Sequence, residues 1–126
     1  MGMHYWRTYL TDILETIRLA NPGRSIANIE RRSLKLGEEV GEVQQAVLAV
    51  TSDTNLKQKT WEDVLEECAD VIIVASDIAL TQFPDAQLTD QQRKQQLVEM
   101  IDRKLAKWAG KRDIMVEKTG KFQDCT

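Results

Sequence analysis

Apolar residues return along this chain at the spacing of a helix face. Leu36, Val40, Val43, Val47 and Val50 follow one another at intervals of four and three, and Val64, Cys68, Val71, Ala75 and Ile78 repeat the rhythm. Each set therefore lies on one side of a helix that turns about 100° per residue. No stretch alternates with period two for long, so a sheet is not expected. The breaks are few: Asn21-Pro22-Gly23, the polar run Thr51 to Lys59, and Phe83-Pro84-Asp85. They predict four helices near residues 4–20, 26–50, 61–82 and 90–109. Thr60 with Asp63, and Thr89 with Gln92, have the spacing of capping boxes at the last two helix starts. From Val71 onward the third helix is apolar almost all round, the pattern of a central helix packed on several sides. The expected fold is all-α, a four-helix bundle.

Composition narrows this further. With 126 residues the chain is one domain, and only six Gly and two Pro argue against a turn-rich β fold or a disordered chain. We expect a single helical domain over residues 1–112 and a basic C-terminal tail over 113–126, frayed or docked on a partner. Two cysteines, Cys68 and Cys125, make no disulfide framework and suit a reducing cytoplasm. The longest apolar run, Val71 to Ala75, is far short of the roughly 20 residues that cross a bilayer, so no membrane partner is expected. Charge is uneven: residues 103–121 carry +5 and the remainder −8. A pI of about 5.2 disfavours a nucleic-acid-binding domain, whose footprint is basic overall.

The acids are patterned. Glu38-Glu39-Val40-Gly41-Glu42 is matched 28 residues on by Glu66-Glu67-Cys68-Ala69-Asp70. On each helix the second and last acids border the apolar stripe, while the first turns toward solvent. If the two helices pack antiparallel, Glu39, Glu42, Glu67 and Asp70 meet along one edge. Four like charges at close range raise one another's pKa or push the helices apart unless a cation neutralises them. A hard divalent ion answers that need, and Mg²⁺ shares its oxygen shell between carboxylates and substrate phosphates. Gly37, Gly41 and Ala69 beside the acids suggest close approach, since a mid-helix glycine costs about 1 kcal/mol relative to alanine. Helix packing alone is the plainer account of the glycines.

Leu36-Gly37-Glu38-Glu39-Val40-Gly41-Glu42-Val43, with Glu67-Cys68-Ala69-Asp70-Val71 following on the next helix, resembles the ExxE, spacer, ExxD signature of the MazG-like all-α nucleoside triphosphate pyrophosphohydrolases. The likeness covers residues 26 to about 109. It implies a helical bundle that forms homodimers or homotetramers, and Mg²⁺-dependent hydrolysis of a nucleoside triphosphate to the monophosphate and pyrophosphate, with Mn²⁺ as the alternative ion. By the resemblance Glu39, Glu42, Glu67 and Asp70 are the metal ligands. Cys68-Ala69 departs from the commoner Leu-Gly of the family. The Tyr-His often seen after the second motif in phosphoribosyl-ATP pyrophosphohydrolases is replaced by Ile-Val-Ala, which disfavours that branch.

Hydrolysis between the α and β phosphates needs a base for the attacking water and cations for the triphosphate. Glu38 is the candidate base, because it neighbours the ligands yet points away from the core, and Glu66 is its structural twin. Lys104, in the arc of Leu97, Met100, Ile101 and Trp108, is a candidate phosphate ligand, although its stem could instead snorkel along the core. Lys35 lies on the acid face at salt-bridge spacing from Glu39. Asp77, two turns beyond Asp70 among apolar neighbours, needs a partner: the substrate, a water or a structural arginine. Other chemistries fail on inventory. His4 is the single histidine, which removes di-iron, zinc and Ser-His-Asp sites, and neither Gly-Lys pair is a P-loop. The rival from another class is a non-catalytic helical adaptor that binds a protein through its acidic edge and basic tail.

Overall fold

A computed structural model describes residues 5–20, 26–80 and 88–119, and the side chains of 7–20, 29–80 and 88–110. Four helices make up the described chain: α1 (Tyr5–Ala20), α2 (Ile26–Thr51), α3 (Trp61–Leu80) and α4 (Asp90–Thr119). The expected breaks at Asn21-Pro22-Gly23 and Phe83-Pro84-Asp85, together with His4 and Cys125, lie outside the described residues. No strand is present among those described. No helix is long and apolar enough to cross a membrane.

Local chemistry sets the helix starts where the pattern put them. Thr60 N–H donates to Asp63 Oδ2 at 2.7 Å and Asp63 N–H returns to Thr60 Oγ1 at 3.3 Å. The same reciprocal pair links Thr89 and Gln92 at 2.9 and 3.1 Å, so orphan N–H groups at both helix starts are satisfied. Between α2 and α3, Asn55 bridges its own loop. Its amide donates to the Lys59 carbonyl at 2.7 Å and accepts from the Lys59 N–H at 3.0 Å. Asn55 and Gln58 both have left-handed backbone, φ 37° and 53°, a conformation asparagine tolerates better than glutamine does.

The packing is less symmetric than a square bundle. Among the described residues α3 touches all three other helices, but α2 touches α3 alone. The core gathers where α1, the end of α3 and the first half of α4 meet, around Leu14, Ile17, Leu80 and Val98, with Leu10 and Leu97 packed against it. Three ion pairs set α1 and α4 antiparallel: Arg7 with Asp102, Glu15 with Lys94 at 3.1 Å, and Arg18 with Asp90 at 3.1 Å.

Three expectations change. α4 continues to Thr119 instead of ending near 109, so the first part of the basic tail is helical. Val40, read as core, is exposed, and the buried α2 positions facing α3 include Glu39 and Ala46. α3 is central by contact, yet Leu65, Ile72, Ile73 and Ala75 are exposed. With a single neighbour, α2 buries only a narrow strip of its surface, and α3 is left open on its outer side.

Candidate metal and phosphate site

The α2–α3 seam brings the two acid motifs together in an antiparallel register. Arg32 Nε lies 2.7 Å from Asp77 Oδ2. Two to three turns along, Glu39 and Glu42 on α2 come level with Asp70 and Glu67 on α3. Carboxylate oxygens of Glu39, Glu67 and Asp70 all lie within 4.8 Å of one another. Glu39 is buried, Glu42 and Glu67 half-buried, and Asp70 exposed, so the cluster opens toward solvent at its Asp70 side.

The electrostatics are strained in the expected sense. Hydrogen bonding with Glu67, the Glu39 charge and desolvation push Glu42 up to about 7. Like charges and burial thus favour the protonated form of Glu42. Glu39 moves the other way, held below the usual carboxylate range chiefly by the Lys35 ammonium, 2.9 Å away. Even so, Glu39 Oε2 and Glu67 Oε2 are buried with no hydrogen-bond partner. Burying such oxygens unpaired is costly. The donor set is all carboxylate oxygen, which suits Mg²⁺ or Mn²⁺ and not a soft or nitrogen-seeking metal.

The other candidates are placed as follows. Glu38 stays on the solvent side of α2, 3.4 Å from Lys35 Nζ. Lys35 thus ties Glu38 and Glu39 together as a salt bridge at the rim of the cluster. Asp77 is buried and paired to Arg32; desolvation raises its pKa and the guanidinium opposes that. The sequence foresaw a structural arginine there, but not which one. Lys104 is exposed on α4, a helix that does not touch α2. Its expected place on a core-facing arc is not what the structure shows, because Met100 and Trp108 on that arc are also exposed. Gly37 and Gly41 face open space: a Cβ at either would meet nothing within 4 Å. Packing of this chain's own helices therefore does not explain them. Trp61 is exposed at the start of α3.

Sequence reasoning missed Lys94. It is buried, with its ammonium 3.1 Å from Glu15 Oε2, and the polar run around it gave no sign of burial. No family model, no curated protein and no solved structure matches this chain.

Proposed function

We propose that the chain is a Mg²⁺-dependent nucleoside triphosphate pyrophosphohydrolase that cleaves between the α and β phosphates, working as a homodimer or homotetramer in the cytoplasm. The observation that carries this reading is the cluster of Glu39, Glu67 and Asp70, whose oxygens converge within 4.8 Å while two of the seam's buried carboxylate oxygens lack any donor. Glu42 joins them once it gives up the proton it holds up to about pH 7. A divalent cation held there would neutralise triphosphate charge and polarise the phosphoryl oxygens.

The chain's own groups supply the rest. Water attacks the α phosphorus, the bond to the α–β bridging oxygen breaks, and nucleoside monophosphate and pyrophosphate leave. Glu38, at the solvent edge of the cluster, takes the proton of that water. Lys35 holds Glu38 and Glu39 in position, at 3.4 and 2.9 Å. Asp77, buried and ion-paired to Arg32, braces the α2–α3 seam beyond the cluster. Lys104 is the phosphate cation. The test is pyrophosphate release from a panel of NTPs and dNTPs with Mg²⁺, with Mn²⁺ and with EDTA. Release that requires the ion and is lost in Glu42→Gln and Asp70→Asn supports the reading. Ion-independent behaviour with full activity in both variants sinks it in favour of an adaptor.

A further inference from the structure

Lys104 exposes a gap in a single copy of the chain, because the helix that carries it does not touch α2. The α1–α4 ion pairs show why. Arg18, Glu15 and Arg7 meet Asp90, Lys94 and Asp102 in order, so residues near 104 stand opposite the start of α1 at Tyr5. The segment 105–119 runs on past that start, about 22 Å of helix at 1.5 Å per residue. Every described side chain from Arg103 to Gly110 is exposed.

That overhang is not a solvated face. Met100, Ile101, Leu105 and Trp108, with Lys104 among them, line a concavity of about 230 Å³, and Leu105 and Trp108 are 50% and 56% exposed. On a helical wheel Lys107 and Arg103 flank the apolar group on the Met100 side, and Lys104 lies about 40° inside that edge. α3 presents the counterpart. Trp61, Leu65, Ala69 and Ile72 form an exposed stripe, with Leu65 70% and Ile72 59% accessible. Glu62, Glu66 and Asp70 run along one flank of it, and α3 contains no basic residue. Apolar surface of this kind, in two matching patches of opposite charge, marks a contact face.

We infer that the distal half of α4 from one copy docks on the outer face of α3 of a second copy and delivers Lys104, with Arg103 and Lys107, to that copy's carboxylate cluster. The basic flank precedes the apolar group on α4 and the acidic flank follows it on α3, so the charges match when the two helices run parallel. The contact made reciprocally closes a two-fold dimer, which buries both overhangs and both α3 faces. Asp70 belongs both to the acidic flank and to the cluster, and so the docked lysine arrives beside the proposed triphosphate. A face binding its own acidic copy through α3 alone would set acid against acid, which excludes an α3–α3 pairing.

Sedimentation velocity tests the interface without reference to catalysis. The wild-type chain sediments as a dimer at micromolar concentration, and Leu105→Glu with Trp108→Glu sediments as a monomer whose circular dichroism remains helical. Arg103→Glu/Lys107→Glu and Glu62→Lys/Glu66→Lys each weaken association by at least about tenfold, and the four changes in one chain restore it. A monomeric wild type, a dimer indifferent to the Leu105 and Trp108 changes, or a charge swap that restores nothing would each overturn the interface. Delivery of Lys104 rests on the nucleotide reading, and mixing Lys104→Met with Glu42→Gln chains tests it. A shared site regains about a quarter of the wild-type rate, because half the dimers are mixed and each has one intact site. Inactivity of the mixture beside an active wild type refutes delivery, whereas an inactive wild type refutes the hydrolase and leaves the interface to be decided by sedimentation.

Discussion

Two clusters of charged side chains sit on this small bundle, and they are built on opposite principles. Between α1 and α4, Glu15 meets both Arg18 and the buried Lys94, and Arg18 also meets Asp90. Cations match anions, and hydrogen bonds from Arg18 and Lys94 draw Glu15 down to about 2. Between α2 and α3, Glu39, Glu42, Glu67 and Asp70 gather while the Lys35 ammonium pairs with Glu39 alone of the four among the described residues, and Glu42 is driven up to about 7. The first cluster is complete within the chain and serves the fold. The second gathers like charges, a state that a proton or a bound cation relieves, and the proposed function is placed there and not at the better-formed network.

The largest expected effect separates the two by activity. Glu42→Gln or Asp70→Asn lowers pyrophosphate release by about a thousandfold or more, the range of losing a main electrostatic contributor to phosphoryl transfer. Lys94→Met leaves the rate per folded molecule within about twofold, because α4's first half is remote from the α2–α3 seam. Rates measured alongside a titration of the folded fraction check both.

Stability should rank the same variants in reverse. Lys94→Met strips Glu15 of a buried partner and lowers the metal-free Tm by about 5 °C. Glu42→Gln relieves carboxylate repulsion and raises it by about 2 °C or more. Differential scanning calorimetry in EDTA reads both, and a Glu42→Gln chain less stable than wild type would show that the acids support the fold as they stand.

How far these clusters could be foreseen differs between them. The acid cluster was legible because its repeat, ExxE then ExxD, lies beside two apolar stripes whose spacing fixes a seam, and the antiparallel register follows from a short α2–α3 loop. Both capping boxes were legible for the same reason: they are local. Val40 was misread because a helical wheel gives the direction of a face but not its width. α2 has one neighbour, so the buried strip shifts to Glu39 and Ala46 and leaves Val40 outside. Lys94 was invisible, since a lysine in a run of Gln and Arg reads as solvated until α1 lays Glu15 over it. The end of α4 was missed although the residues after 109 contain no proline to stop a helix, and the helix runs on to Thr119.

Smaller effects sharpen the contrast through pH and metal. A carboxyl raised to about 7 when folded binds its proton more tightly than in the unfolded chain. The metal-free protein therefore loses stability as pH rises from about 4.5 to 7, and Glu42→Gln removes that slope. Glu15 is depressed, so its contribution is full above about pH 4.5 and disappears as pH falls toward 2. Mg²⁺ at ten times its Kd should add about 1.4 kcal/mol at pH 8 and less at pH 5, where Glu42 must first lose its proton. Melting curves across pH, with and without Mg²⁺, decide this. A Tm that rises steadily from pH 5 to 8 in EDTA would place no proton on Glu42.

The smallest effect concerns the two glycines beside the acids. Nothing in the chain occupies the space a Cβ would take at Gly37 or Gly41, so alanine at either should add about 0.5–1 kcal/mol by restricting the unfolded chain and favouring helix. At 100° per residue both glycines lie about 160° round α2 from Glu39, on the side turned away from α3. Gly41→Ala and Gly37→Ala are therefore each expected to raise Tm by about 2–3 °C with Mg²⁺-induced stabilisation and KM for the nucleotide unchanged. Thermal melts beside steady-state kinetics check this: a KM raised several-fold at either position would mean that a ligand approaches this outer face of α2.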